Sequence, residues 1–194
     1  MLEFCKYQVS QFTIQPEKHY IIDYAPVSED VDISERVFAG VQKAKSDGID
    51  LVFIIEDDDA VKPYYIQMFG HTTSQYDFFG SETTTYYHLK NRTHQNFKHP
   101  LRSSLFTTGF RVSAVEKFIW PRNNAFVDIE LWKYAQSYRK RFIPATGCVG
   151  IKGHGFGKSG GKGHGMKFQK SDHNYNWLRN NVTPEAFEFY MSLT

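Results

Sequence analysis

Between Asp50 and Ala60 the hydrophobic pattern breaks sharply: five apolar residues, Leu51-Val52-Phe53-Ile54-Ile55, run straight into four carboxylates, Glu56-Asp57-Asp58-Asp59. The apolar run is rich in β-formers and follows the breaker Gly48-Ile49-Asp50, which predicts a buried strand with its acidic end at the surface. Upstream, His19-Tyr20-Ile21-Ile22-Asp23-Tyr24 predicts a short strand stopped by Ala25-Pro26, with a fainter strand signal around Phe12 and Ile14 before it. Between these strands, Asp32 or Ser34 can cap a helix over about 33–46, with Val37, Val41 and Ala44 on one face and Gly48 as its stop. Strand, helix and strand joined by short connections predict a parallel βαβ unit. Both strands then bring their last residues, Asp23 and Glu56 to Asp59, to one edge of the sheet, where ligands of open α/β sheets gather.

Downstream, Pro63 opens a helix to about Thr73 that carries Tyr65, Ile66 and Phe69. Tyr76 to Gly80 and Thr83 to Leu89 predict two strands paired around Gly80 to Glu82, and Asn91 to Arg102 is a polar, basic loop without periodicity. Ser104 to Val112 alternates as a strand, and Ser113 to Trp120 predicts a short helix that ends at Pro121. Asp128 stands at the start of a helix to about Lys140, Cys148-Val149-Gly150-Ile151 is a short strand, and helices over about 175–180 and 184–192 finish the chain. The order predicts one α/β domain over residues 1–194: a Rossmann-like, mostly parallel central sheet flanked by helices, without internal repeats.

Composition agrees with a packed domain. The 194 residues are 41% hydrophobic and 16% aromatic, so Phe and Tyr can supply much of a core. No apolar stretch reaches the roughly 18 residues that a membrane span requires. The first residues lack the basic-then-apolar order of a signal peptide. Cys5 and Cys148 are isolated, with no metal or redox spacing, so a reducing cytoplasm is the expected compartment.

The charge is uneven. Residues 1–82 hold 15 acidic and 6 basic residues, whereas residues 83–194 hold 6 acidic and 17 basic. Two stretches without any Asp or Glu, Thr83–Val115 and Leu131–Ser171, carry 14 of the 23 Lys and Arg. Such asymmetry suggests an anionic partner for the second half, either the phosphates of a nucleotide or those of a nucleic acid.

Four adjacent carboxylates repel one another, and a core strand that ends in them favours a bound cation over a merely solvated, helix-capping turn. Hard divalent ions such as Mg²⁺ or Mn²⁺ take oxygen ligands and often share them with substrate phosphates. Nine of the 14 glycines fall between Gly147 and Gly165, interleaved with Lys152, Lys158, Lys162, His154 and His164. A P-loop reading of Gly157-Lys158-Ser159 fails, because the leading glycine would have to stand where Lys152 is. Gly155-Phe156-Gly157-Lys158-Ser159-Gly160 matches a dinucleotide fingerprint, but more glycines follow it where a helix should begin. What remains is a loop able to bring backbone N–H groups and lysines to phosphates, with His154 or His164 able to close over a metal.

The βαβ unit ending in Ile22-Asp23, the strand ending in Glu56-Asp57-Asp58-Asp59, the segment Asp128-Ile129-Glu130-Leu131-Trp132 and the late basic loop together resemble a GT-A glycosyltransferase of the inverting, family-2-like group. The resemblance spans about residues 19–170. It implies that a D-x-D-type motif holds Mn²⁺ or Mg²⁺ on the diphosphate of a UDP- or GDP-sugar. It carries over Glu56 and Asp58 with Asp59 adjacent, or Asp57 and Asp59 in an alternative register.

By the same resemblance Asp58, Asp59 and His164 hold the metal, and Asp23, Glu56, Asp57, Lys152 and Lys158 meet the donor. Asp128 is the base, with a helix N-cap as its plainer alternative. Arg92, Lys98 and Arg102 would meet an anionic acceptor. Residues 1–82 form the donor and metal half, and residues 83–194 the acceptor half. The usual first strand of that family, with its polar start to the nucleotide pocket, is not evident before Asp23. Compact members are similar to phage glycosyltransferases acting on hydroxymethylated pyrimidines in DNA, which makes DNA the expected acceptor, with a saccharide or lipid acceptor as the alternative. A non-catalytic nucleic-acid-binding module, with Tyr86, Tyr87 and Phe97 among the basic loops, is the alternative from another class. A metal-dependent nuclease or phosphatase lacks an evident second ligand set.

Overall fold

The computed structural model describes residues 1–23, 32–70, 73–122, 124–155 and 170–194. In chain order its elements are α1 (Leu2–Ser10), α2 (Ile33–Ser46), β1 (Leu51–Phe53), β2 (Phe78–His88), β3 (Thr93–Lys98), β4 (Gly109–Arg111), α3 (Val127–Tyr134), β5 (Lys140–Lys152), β6 (Lys170–Ser171), α4 (Asn176–Asn181) and α5 (Pro184–Met191). Strand β2 is the centre of a six-stranded sheet: it pairs with β3, β4 and β5, while β1 adds to β4 and β6 to β3.

The sheet corrects the expected fold class. Every pairing except β2 with β5 is antiparallel, so the mostly parallel, Rossmann-like sheet is not formed. The predicted βαβ unit fails at its first strand. Residues 19–23 belong to no strand and are fastened to α2 instead: Arg36 Nη1 donates to Ile22 O at 2.8 Å, and the Tyr20 hydroxyl donates to Asp47 at 2.8 Å. The neighbour of β1 is β4, antiparallel, with Val52 opposite Phe110. A short apolar run has no signature that separates a strand from a tether lying on a helix.

Other expectations shift for reasons visible in the packing. The two strands expected around Gly80 are one. Successive residues of β2 enter different clusters: Phe78 packs with Phe110 and Trp132, Phe79 with Phe69, Tyr86 with Phe106, and Tyr87 with Ile151 and Leu178. Neighbouring residues thus face opposite sides of a strand buried on both faces, and a register shift between Thr83 and Thr85 separates Phe79 from Tyr86, which reach one cluster despite their opposite parity. Gly80 is there because a Cβ would lie 2.6 Å from Ser103 Cβ and 2.7 Å from the Trp132 ring, not because the chain turns.

The polar segment after Asn91 contains β3, whose alternating exposure hid it as a loop. Strand β5 begins at Lys140, well before the expected Cys148. The helix expected after Pro63 shrinks to a single 3-10 turn, Ile66–Met68, and the expected strand Ser104 to Val112 keeps only β4 after a 3-10 turn at Leu105–Thr107. The helix expected over Ser113 to Trp120 is a 3-10 turn, Ser113–Val115. In place of the faint strand near Phe12, the first residues form α1.

Two helices match their local signals closely. Helix α2 spans 33–46 as expected. Helix α5 starts with Thr183 as N-cap, its side chain accepting from Ala186 N at 3.2 Å, and with Pro184 in the first turn. Among the described residues no helix is long and apolar enough to cross a membrane.

Candidate metal centre

The acidic run leaves β1 through Ile54, whose N–H donates to Thr108 O at 2.9 Å, and then turns. Ala60 ends the turn by pairing with Val149 of β5, each N–H donating to the other's carbonyl at 2.9 Å. Further along β5, Ile151 N donates to Asp59 Oδ1 at 2.8 Å. The Tyr190 hydroxyl of α5 donates to Asp58 O at 3.1 Å. These restraints gather Glu56, Asp58 and Asp59 so that one oxygen from each lies within 4.8 Å of the others. Asp57 is exposed and outside the group.

A divalent cation fits this set. All three donors are carboxylate oxygens, and Asp59 is fully buried with Oδ2 lacking any hydrogen-bond partner. A buried, unpartnered carboxylate oxygen is unfavourable unless a cation or donor meets it.

Lys152 of β5 supplies part of the balance, with Nζ 3.6 Å from Asp59 Oδ1 and 3.8 Å from Asp58 Oδ2. His154 Nε2 stands 3.0 Å from Asp58 Oδ2. Burial pushes Glu56 up to about 7; Lys152 opposes this, and Asp58, Asp128 and Asp57 reinforce it. Burial likewise holds Asp59 well above the usual carboxylate range against the pull of Lys152. For Asp58 burial also acts upward, but the His154 hydrogen bond and the Lys152 charge outweigh it, and the net shift is down. Lys152 is the mirror image: burial would lower it, and Asp59, Asp58 and Glu56 together raise it.

These shifts give a pH dependence with a definite sign. Glu56 keeps its proton in the fold up to about 7, whereas its ordinary value is 4.5. Between those values the folded state binds more protons than the unfolded state, so stability without metal falls as pH rises. Cation binding requires the ionised forms and therefore strengthens over the same interval. Thermal melts should show a larger rise in Tm on adding Mn²⁺ at about pH 8 than at about pH 5. Equal shifts at both would separate the carboxylates from the cation.

The centre opens on a cavity of about 660 Å³. Glu56, Asp57, Asp58 and His154 line it together with Asp23 and with Arg36 of α2. The size is that of a small-molecule or cofactor site. Three of the expected donor contacts, Asp23, Glu56 and Asp57, therefore share one cavity with Asp58, while Lys152 lies against the carboxylates. Lys158 and His164 lie outside the described residues; His154, the alternative to His164, is placed on Asp58.

Asp128 is the second residue of α3, and the N-cap position belongs to Phe126. Its carboxylate receives Arg102 Nη1 at 2.7 Å and its charge helps to raise Glu56, but it is not among the residues that line the cavity. Arg102, expected at the acceptor, is thus the partner of Asp128. Arg92 sits in the β2–β3 turn with φ 51°, its guanidinium 4.8 Å from the Tyr175 ring centroid and its Nη1 donating to His173 O. Lys98 is exposed at the last residue of β3, about 20 Å further along the strand. The three cations are not brought together.

Much of the uneven charge is used within the fold. Arg111 pairs with Asp50, Arg139 with Asp77 at 3.1 Å, and Lys152 with Asp58 and Asp59, joining the basic second half to the acidic first. Lys140 Nζ donates to the carbonyls of Ala135, Gln136 and Tyr138 at the end of α3. Gln8 and Tyr190, which hold the acidic turn from the two ends of the chain, carry no signal in the sequence, because each is an ordinary residue of an amphipathic helix.

No family model matches the chain, and a search of curated proteins finds no match. Among solved structures, the chain is similar to the crystal structure of a "putative nucleotide-diphospho-sugar transferase" from Desulfovibrio desulfuricans G20, at 13% identity and a TM-score of 0.36. The match covers 85% of this chain and 62% of that one, and a likeness this loose defines neither fold nor activity.

Proposed function

We propose that the protein is a metal-dependent glycosyltransferase that takes its sugar from a nucleoside diphosphate donor. The observation that carries this reading is the group of Glu56, Asp58 and Asp59 oxygens within 4.8 Å, with Asp59 Oδ2 buried and unpartnered, beside a cavity of donor size. Mn²⁺ or Mg²⁺ bound there supplies charge neutralisation to a departing diphosphate. Asp58 and Asp59 hold the ion, with His154 steadying Asp58, and Lys152 adds positive charge beside the phosphates. Asp23 and Arg36 lie along the cavity where the nucleoside would extend.

Asp128 accepts the proton of the acceptor hydroxyl. The hydroxyl oxygen forms its bond to the anomeric carbon while the bond from that carbon to the diphosphate oxygen breaks. The nucleoside diphosphate leaves with the electron pair, and attack from the opposite face inverts the carbon. Arg102 keeps the Asp128 carboxylate in place.

The finer part of the proposal is the acceptor, a hydroxymethylated base in DNA. Lys90, Lys98, Lys117, Arg122, Arg141 and Lys170 are exposed cations of the described second half that could meet its phosphates. Calorimetry tests the whole. UDP or GDP should bind only with Mn²⁺ or Mg²⁺ present, and failure with either metal would remove the transferase reading. A hydroxymethylpyrimidine oligonucleotide titrated in the same cell should bind more weakly as salt rises, in proportion to the phosphates contacted. Salt-independent or absent binding would remove DNA and leave the donor result standing.

A further inference from the structure

We propose that Gln8 of α1 is a positioning residue for the cation, setting where the oxygens of Asp58 and Asp59 stand. This rests on the reading of the acidic turn as a cation site. Ala60 gives both its backbone groups to Val149, so the groups on either side of it, Asp59 O and Val61 N, face away from β5. In a continuous sheet a neighbouring strand would meet them.

Here one side chain does so. Gln8 Nε2 donates to Asp59 O at 3.0 Å, and Gln8 Oε1 accepts from Val61 N at 2.9 Å. Gln8 is 5% exposed, so water does not replace these bonds. The pairing needs a donor and an acceptor on one planar group, which among side chains of this length is a primary amide. Asp59 is then held at its carbonyl by Gln8 and at Oδ1 by Ile151, while Asp58 is held at its carbonyl by Tyr190.

The restraint matters because the residues it fixes repel one another. Without Gln8 the carboxylates relax apart into the cavity. A cation must then draw them together again, so its apparent affinity falls by the fraction of chains still in the gathered form. Groups that orient metal ligands without touching the metal typically account for about 10–100-fold in affinity. Helix α1 itself is anchored from the other terminus, where the Phe4 and Phe189 rings stack with centroids 4.0 Å apart. The two ends of the chain thereby hold one turn.

The test is Mn²⁺ calorimetry on the full chain, with Tm measured in parallel. Gln8→Met keeps the length and removes both bonds; Gln8→Asn keeps the amide and shortens its reach, and is read in the same way if Gln8→Met does not fold. Val182→Ala, in the core beneath α4 and α5, is the control for lost stability alone. Either Gln8 variant should weaken Mn²⁺ binding about tenfold or more. It should also raise amide exchange at Val61 and Ile151, whereas Val182→Ala lowers Tm and leaves Mn²⁺ affinity unchanged. Wild-type affinity in the Gln8 variants, or an equal loss in Val182→Ala, overturns the inference and leaves the cation site intact. No Mn²⁺ binding by the wild-type chain overturns the cation site and this inference with it.

Discussion

Asp59→Asn is expected to abolish Mn²⁺-dependent nucleotide binding while leaving the metal-free protein as stable as the wild type, or more so. The two effects have one cause. Asp59 is fully buried, its Oδ2 has no partner, and burial holds its pKa well above the usual carboxylate range. In the metal-free fold an ionised Asp59 is therefore a liability, which Lys152 at 3.6 Å only partly offsets. Asparagine has the same shape, and its carbonyl oxygen can still accept from Ile151 N, so the link between the turn and β5 survives. What it lacks is the charge that a hard cation requires.

Loss of a direct ligand should exceed the roughly 10–100-fold typical of supporting groups, so affinity should fall by at least about 10²-fold. Asp57→Asn is the contrast, because Asp57 is exposed and outside the carboxylate group, and it should change Mn²⁺ affinity little. Calorimetry and melts with and without Mn²⁺ check both. An Asp59→Asn protein that is markedly destabilised yet still binds metal and nucleotide would make Asp59 a structural residue and leave Glu56 and Asp58 to hold the ion.

The parts of this centre that could be read from the sequence are those written contiguously. Five apolar residues ending in four carboxylates announce their own conflict, and the capping residues Thr183 and Pro184 announce α5 in the same local way. Pairing is different. The partners of β2 are set by Phe78, Phe79, Tyr86 and Tyr87 reaching separate clusters, and nothing local to Thr93–Lys98 or Lys140–Ala145 says which strand they will meet. That is why an expected parallel βαβ unit became a mainly antiparallel sheet.

Helix α1 has no capping side chain and is held by Gln8 and the Phe4–Phe189 stack, both tertiary. The charge asymmetry pointed to an external anion, yet the Asp50–Arg111 and Asp77–Arg139 pairs show that part of it is complementarity between the halves of one domain. Composition reports how much charge a segment carries, not whether it faces solvent or another part of the same chain.

Asp128→Asn should separate binding from turnover. The substitution keeps an oxygen for Arg102 Nη1, now 2.7 Å from Asp128 Oδ2, so α3 should keep its position. The Asp128 side chain is only 14% exposed, so the substitution removes a first-turn charge and the ion pair to Arg102 while keeping a hydrogen bond, and Tm measured alongside checks that the fold tolerates it. Donor and Mn²⁺ binding should persist. Because the Asp128 charge helps to raise Glu56, the pH at which Mn²⁺ begins to bind should move slightly downward. Transfer to the acceptor should fall by about 10²–10⁴-fold, the usual contribution of a general base, since an amide cannot take the hydroxyl proton. Single-turnover transfer measured beside donor calorimetry distinguishes the outcomes. Near-wild-type transfer would reduce Asp128 to the partner of Arg102. Simultaneous loss of donor binding and transfer would place it among the groups that assemble the cation centre, leaving proton removal to a residue that lines the cavity.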